Sequence, residues 1–188
     1  MYTDIEMLYN DADKLLQAKD LISDWEYIKA KYIIEEVLDE DPLNEMGHYL
    51  LAHIFDYHYG EYEKAMLHYE VAIRTRPNFY EAIAALLRLY NKCMLSGKTL
   101  ELGLSVKGKP SAFSESIDLD LALAYERQLL FAEAMVIFEE LKMNTTNDDL
   151  IEEVNASMRR VKKKIEKVQS KEKAIYTNFK FSDDVNIA

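Results

Sequence analysis

The sequence predicts an all-α fold, a helical-hairpin repeat solenoid of about four units closed by a C-terminal capping helix. Three observations carry this. One interval pattern of small and large apolar residues recurs along the chain. Gly and Pro are scarce, at five and three in 188 residues, which favours long helices over a turn-rich β fold. Cys93 is the only cysteine, so no internal disulfide staples a small irregular domain.

The recurring pattern is clearest in the second hairpin. Ala65, Tyr69, Ala72 and Pro77 are separated by steps of 4, 3 and 5 residues. The same steps separate Ala30, Ile34, Val37 and Pro42, 35 residues earlier. Ala134, Phe138 and Leu141 repeat the 4 and 3, with Thr146 in the proline slot. Steps of three and four place residues on one helical face. The small first residue lets a neighbouring helix approach, the larger one a turn later fills the gap, and proline ends the helix. A weaker copy is expected between the second and fourth, with Leu100, Leu104, Lys107 and Pro110 in the equivalent places. A partner helix precedes each, near 5–20, 45–58, 79–95 and 115–128. Gly60 falls in the turn of the second pair, where positive φ is tolerated.

With this period and pattern the chain resembles the tetratricopeptide repeat family, helix–turn–helix units of about 34 residues. The segment YLLAHIFDYHYGEYEKAMLHYEVAIRTRP carries the likeness best, with Tyr49 in the family's Trp slot. LALAYERQLLFAEAMVIFEEL follows through Ala122, Tyr125, Ala134 and Phe138, and DWEYIKAKYIIEEVLDEDP matches in its second half. The third unit is degenerate, because Gly103 and Gly108 weaken its helix. The resemblance covers about 11–148 and implies a protein-binding scaffold whose first helices line a concave groove. Its slots here include Leu50, Leu51, Ile54, Tyr57 and His58 in the second unit. The third contributes Arg88, Asn91 and Lys92, and the fourth Asp120, Leu123, Glu126 and Arg127. A carboxylate-clamping subset of the family needs polar donors where this chain has Leu50 and Ile54. The groove therefore reads as apolar on one side and basic at Arg88 and Lys92. It suits a helix or extended peptide with apolar anchors and an acid, the binding mode of an adaptor or chaperone-like protein.

Residues 148–173 read as a further helix. Ile151, Val154, Met158, Val161, Ile165 and Val168 alternate steps of 3 and 4. That stripe either seals the open end of a repeat domain spanning 1–147 or forms a seam with a second copy. The outer face carries Arg159, Arg160, Lys162, Lys163, Lys164 and Lys167, which is either a solvated face or a contact for an acidic neighbour. The tail 174–188 lacks a helical pattern; it is either a flexible end or a segment that docks its aromatics, here or on another copy.

The chemistry the sequence excludes is as informative. Gly103, Gly108 and Lys109 have the G-x4-G-K spacing of a phosphate-cradling loop, yet Pro110 stands where the hydroxyl belongs and no strand precedes it. SGKT at 96–99 lacks the earlier Gly, since Lys92 holds that place. His48, His53, His58 and His68 are spaced by 5, 5 and 10, not the i, i+4 of a helical metal site. No nucleophile–base pair is legible. The chain reads as a non-enzyme without cofactor, metal or catalytic residues. Net charge is -11, with -13 over residues 1–148 and +2 beyond, so the acidic body repels phosphate backbones and nucleic acid is not an expected partner. The start, MYTDIEMLYNDADK, has no basic segment before an apolar run, so no signal peptide is read. No run approaches the roughly 18 apolar residues that span a bilayer. A cytoplasmic protein with a protein or peptide partner is expected, and a homo-oligomer through 148–188 is the alternative.

Overall fold

A computed structural model describes the backbone of residues 2–183 and the side chains of residues 11–173. Every regular element among them is helical. In chain order they are α1 (Tyr2–Ser23), α2 (Tyr27–Glu40), α3 (Glu45–Ile54), α4 (Tyr62–Thr75), α5 (Tyr80–Lys92), α6 (Ser96–Val106), α7 (Ser114–Arg127), α8 (Phe131–Asn144) and α9 (Asp148–Asp183). A single π-turn, Phe55–Tyr59, prolongs α3 to the edge of its hairpin. The chain divides into two compact units, 1–117 and 118–188.

The second helices show why the interval pattern exists. Ala30, Ile34 and Val37 in α2, and Ala65, Tyr69 and Ala72 in α4, are all fully buried. So are Ala134 and Phe138 in α8, with Leu141 nearly so. In α6 the triplet is Thr99, Gly103 and Val106, all buried. The register expected from Leu100, Leu104 and Lys107 is therefore one residue late. Leu104 is 49% exposed, and Lys107 lies beyond the helix. The slot that is Ile34, Tyr69 or Phe138 elsewhere holds only the hydrogen of Gly103, so an apolarity search slides onto the neighbouring leucines. SGKT simply opens this helix, with Thr99 packed inside.

The turns within hairpins repeat as strictly as the helices. Trp25, Gly60, Met94 and Leu129 all have positive φ, between 62° and 67°. Around Trp25, Met94 and Leu129 the same bond closes the first helix: the next amide reaches back to the carbonyl of Leu21, Tyr90 or Tyr125, at 2.8, 2.8 and 3.0 Å. This left-handed cap satisfies carbonyls that a helix end leaves open. Only Gly60 adopts it without steric cost; each of the other three carries about 1 kcal/mol of backbone strain.

In unit 1 the core runs through α1 to α5, with Leu15, Ala18, Ile34, Leu51, Ile54, Tyr69 and Leu86 among its buried members. Asn44 caps α3 by accepting the Gly47 amide at 2.9 Å. Beyond α6, Lys107 and Gly108 (φ 78°) form a turn closed by the Lys109 amide on the Val106 carbonyl at 3.1 Å. Ser111 and Ser114 then bond one another into α7.

In unit 2, α8 packs along α9. Val154 and Val161 are fully buried. Glu126, 3% exposed, accepts Arg160 Nε and Nη2 at 2.7 and 2.6 Å and Lys164 Nζ at 2.7 Å. Burial alone raises the Glu126 carboxyl, but these bonds outweigh it and hold it below its ordinary value. The helix expected to end at 173 continues to Asp183. The tail reading of 174–188 falls on residues whose side chains, and for 184–188 whose backbone, lie outside the described residues.

Candidate functional site: the groove of α1, α3 and α5

A trough of about 370 Å³ opens in unit 1. Ile22, Tyr49 and Leu50 form its apolar floor, and Trp25, Tyr27 and His53 add rings. Lys19, Ser23 and Glu81 supply polar groups at its edge. The helical face that buries Leu15 and Ala18 in α1 also places Lys19, Ile22 and Ser23 toward this trough.

The polar groups are largely fixed by one another. The Tyr49 hydroxyl donates to Glu81 Oε1 at 3.0 Å. His53 stacks on Tyr57 with centroids 4.5 Å apart. Burial pushes the His53 imidazole below its ordinary pKa, against the pull of Asp56 and Glu81. Its Nδ1 is buried with no hydrogen-bond partner.

The π-turn shapes what lies next to the trough. It leaves Tyr57 52% and Tyr59 40% exposed while burying Phe55 and Asp56. His58 stacks on Tyr27 at 4.1 Å. From there, ring contacts run through Tyr59 and Phe55 to His68 and His48. π-turns of this kind concentrate at functional positions.

The groove residues expected from sequence separate into distinct fates. Leu50 is 3% exposed and contributes to the floor, whereas Ile54 is wholly core. Tyr57 and His58 are exposed beside the trough. Arg88 donates to the Tyr57 hydroxyl at 3.2 Å and to Ser116 Oγ at 3.5 Å. Lys92 is paired with buried Asp56 at 3.0 Å and lies 4.3 Å over the Tyr62 ring. Burial works against the Lys92 ammonium; the Asp56 bond outweighs it and raises its pKa. The basic edge read from Arg88 and Lys92 is thus already engaged within unit 1. Asn91 is buried and accepts the Thr99 hydroxyl at 3.3 Å. In unit 2, Asp120 is buried, Leu123 half-buried and Arg127 exposed.

Sequence reading missed Trp25, Tyr27, Lys19 and Glu81, which stand at turns and helix ends rather than in the repeat's groove slots. It also missed a histidine pair. His48 Nε2 lies 3.0 Å from the Pro42 carbonyl, and since a carbonyl only accepts, that nitrogen carries the proton. His48 Nδ1 then accepts from His68 Nδ1, 2.8 Å away. Burial and the neighbouring His48 lower the His68 pKa to about 4. The two come from α3 and α4, so spacing along one helix gave no sign of them. No group of three or more potential metal ligands comes together among the described residues.

A second trough, about 480 Å³, lies between α4 and α6, floored by Ile73, Leu86 and Leu102. Its rim carboxylate Glu70 is engaged by Tyr90 at 2.7 Å and Lys98 at 3.6 Å.

No protein-family model matches the chain, and no curated protein matches it. Solved structures do. A double mutant of MamA from strain RS-1 superimposes with a TM-score of 0.70 at 10% identity, covering 95% of this chain and 97% of that one. MamA from residue 41 onward, from Desulfovibrio magneticus RS-1, gives 0.64 at 11% identity over 87% and 96%. A tetratricopeptide repeat protein from Parabacteroides merdae gives 0.68 at 18% identity, covering 89% of this chain and 65% of that one. The fold is therefore tetratricopeptide-like, an all-α helical-repeat solenoid. Among the described residues no helix is long and apolar enough to cross a membrane.

Proposed function

We propose that this chain is a non-enzymatic protein–protein interaction scaffold that holds a partner peptide or helix in the groove of α1, α3 and α5. The supporting observation is the open trough itself: an apolar floor, the exposed ring of Trp25 and the half-buried rings of Tyr27 and His53 in one place. A few fixed polar groups around an apolar floor orient an occupant, and the floor supplies burial. The tetratricopeptide-like fold agrees with such work without naming a partner. A reducing cytoplasm suits the lone Cys93.

The test is a quantitative pull-down comparing the full chain with His53→Ala and Tyr57→Ala. The first change removes a ring that lines the trough and the second the ring stacked on it, and far-UV helicity should stay intact in both. Loss of the same partner from both variants is expected; a partner retained at full yield by both places the interface elsewhere.

One observation favours a second reading, self-association through α9. Residues 166–173 are all exposed, on a helix that runs on to Asp183. An unpacked helix of this length is marginal in water, and a second copy would cover it. Sedimentation velocity at two concentrations decides: a monomer at both removes this reading.

A further inference from the structure

We propose that the groove of α1, α3 and α5 receives a cationic side chain, a Lys or Arg carried by a partner segment, seated over Trp25 and Tyr27 and against Glu81. This rests on the groove reading above and supplies the chemistry of its occupant.

The walls come first. Trp25 and Tyr27 have centroids 6.1 Å apart and planes at 79°, so two rings meet at an open corner. His58 covers one face of Tyr27, whereas Trp25 is 78% exposed. An aromatic face attracts a cation through its quadrupole and offers an anion nothing comparable.

The carboxylate comes next. Glu81 lines the same trough and takes the Tyr49 hydroxyl on Oε1, leaving Oε2 for a charge-assisted bond to an ammonium or guanidinium. Of the two cations expected to give the groove a basic edge, Lys92 has its charge compensated by the Asp56 carboxylate, whereas Arg88 bonds the neutral hydroxyls of Tyr57 and Ser116, which leave its charge in place. Among the described residues Lys19 is the one cation lining the trough; it is exposed, on a flexible stem able to swing into water.

The wider field points the same way. Residues 1–59, which contain α1 to α3, hold fourteen Asp/Glu against four Lys/Arg, a net of -10 in a chain whose total is -11. Such a field draws cations toward the trough and repels acidic segments. Trp25 itself is the last observation. It bears left-handed backbone and a large exposed ring at once, two costs at a position where glycine would carry neither. Met94 and Leu129 share that backbone, but of the three only Trp25 lines this trough.

Trp25 is the only tryptophan in the chain, so its fluorescence reads the pocket directly. The full chain is titrated with a neutral-capped heptapeptide of glycine, leucine and two arginines, and with a twin carrying glutamates in place of the arginines. The expected result is a saturable change in Trp25 emission with the arginine peptide alone. Its half-saturation point should rise about tenfold in Glu81→Gln, the scale of one lost charge-assisted contact. It should fall about threefold in Lys19→Glu, which removes a repelling charge. Far-UV spectra confirm that both variants stay folded. A response to the glutamate peptide equal to or stronger than that to its twin overturns the cation chemistry while leaving the groove reading in place. Identical half-saturation in both variants overturns it as well. Silence toward both peptides, together with a partner still captured by His53→Ala and Tyr57→Ala, takes down both.

Discussion

In hairpin α3/α4 the buried triplet of the second helix is Ala65, Tyr69 and Ala72; in hairpin α5/α6 it is Thr99, Gly103 and Val106. The first fills its central slot with a phenol that is fully buried but whose hydroxyl has no partner. The second leaves that slot nearly empty and instead donates the Thr99 hydroxyl to buried Asn91 at 3.3 Å. Their turns differ in the same opposed sense: Gly60 takes left-handed backbone freely, and Met94 takes it under strain. Position within the repeat, then, decides which side chain is buried, and it tolerates very different residues there. What varies is where each hairpin keeps its unsatisfied chemistry.

Acid should separate the two hairpins most. The folded-state pKa of His68, about 4, lies below its ordinary 6.5, so the unfolded chain binds the proton first as pH falls. The stability that neutral His68 contributes is complete above pH 6.5 and is lost progressively toward pH 4. With partial solvent screening the loss should be about 2 kcal/mol. Hydrogen exchange measured between pH 7 and 4.5 should show α3 and α4 losing protection ahead of α5 and α6. Uniform loss would break the contrast.

Deleting one hydroxyl from each hairpin should have unequal effects. Thr99→Val removes the buried bond from the Thr99 hydroxyl to Asn91 Oδ1 and should cost about 1 kcal/mol in urea unfolding, whereas Tyr69→Phe removes an orphan and should be neutral or stabilising by roughly 0.5 kcal/mol at most. Equal costs would mean that the Tyr69 hydroxyl finds a water. The smallest expected effect is at the turns. Met94→Gly relieves strain and should raise stability by about 0.5 kcal/mol, with Gly60→Ala lowering it by about 1 kcal/mol. Thermal midpoints moving in the same direction would show that the turns are not equivalent.

The sequence made the hairpins, their period and three of the four buried triplets legible, because alternating steps of three and four are a direct imprint of one buried helical face. It misplaced the third triplet by one residue, since Thr99 and Gly103 carry too little apolar signal to outweigh Leu100 and Leu104 beside them. The site was less legible. Slots assigned by helical position take in Tyr57 and His58, which are exposed, together with Ile54 and Asn91, which are buried. Arg88 and Lys92 are engaged by partners one hairpin away, and no one-dimensional spacing shows such contacts. The trough's most exposed ring, Trp25, lies in a turn, outside every periodic element a pattern search follows.

Nineteen positions separate Trp25 from the α3 cap Asn44, and nineteen separate Gly60 from the α5 cap Phe79. Between cap and turn the count differs: α3 with its π-turn spans fifteen residues, Glu45–Tyr59, whereas Tyr80–Cys93 spans fourteen. The surplus residue is held as a local blister and never reaches the following hairpin. The π-turn thus takes up one residue within α3, and the spacing from turn to next cap stays the same in both hairpins.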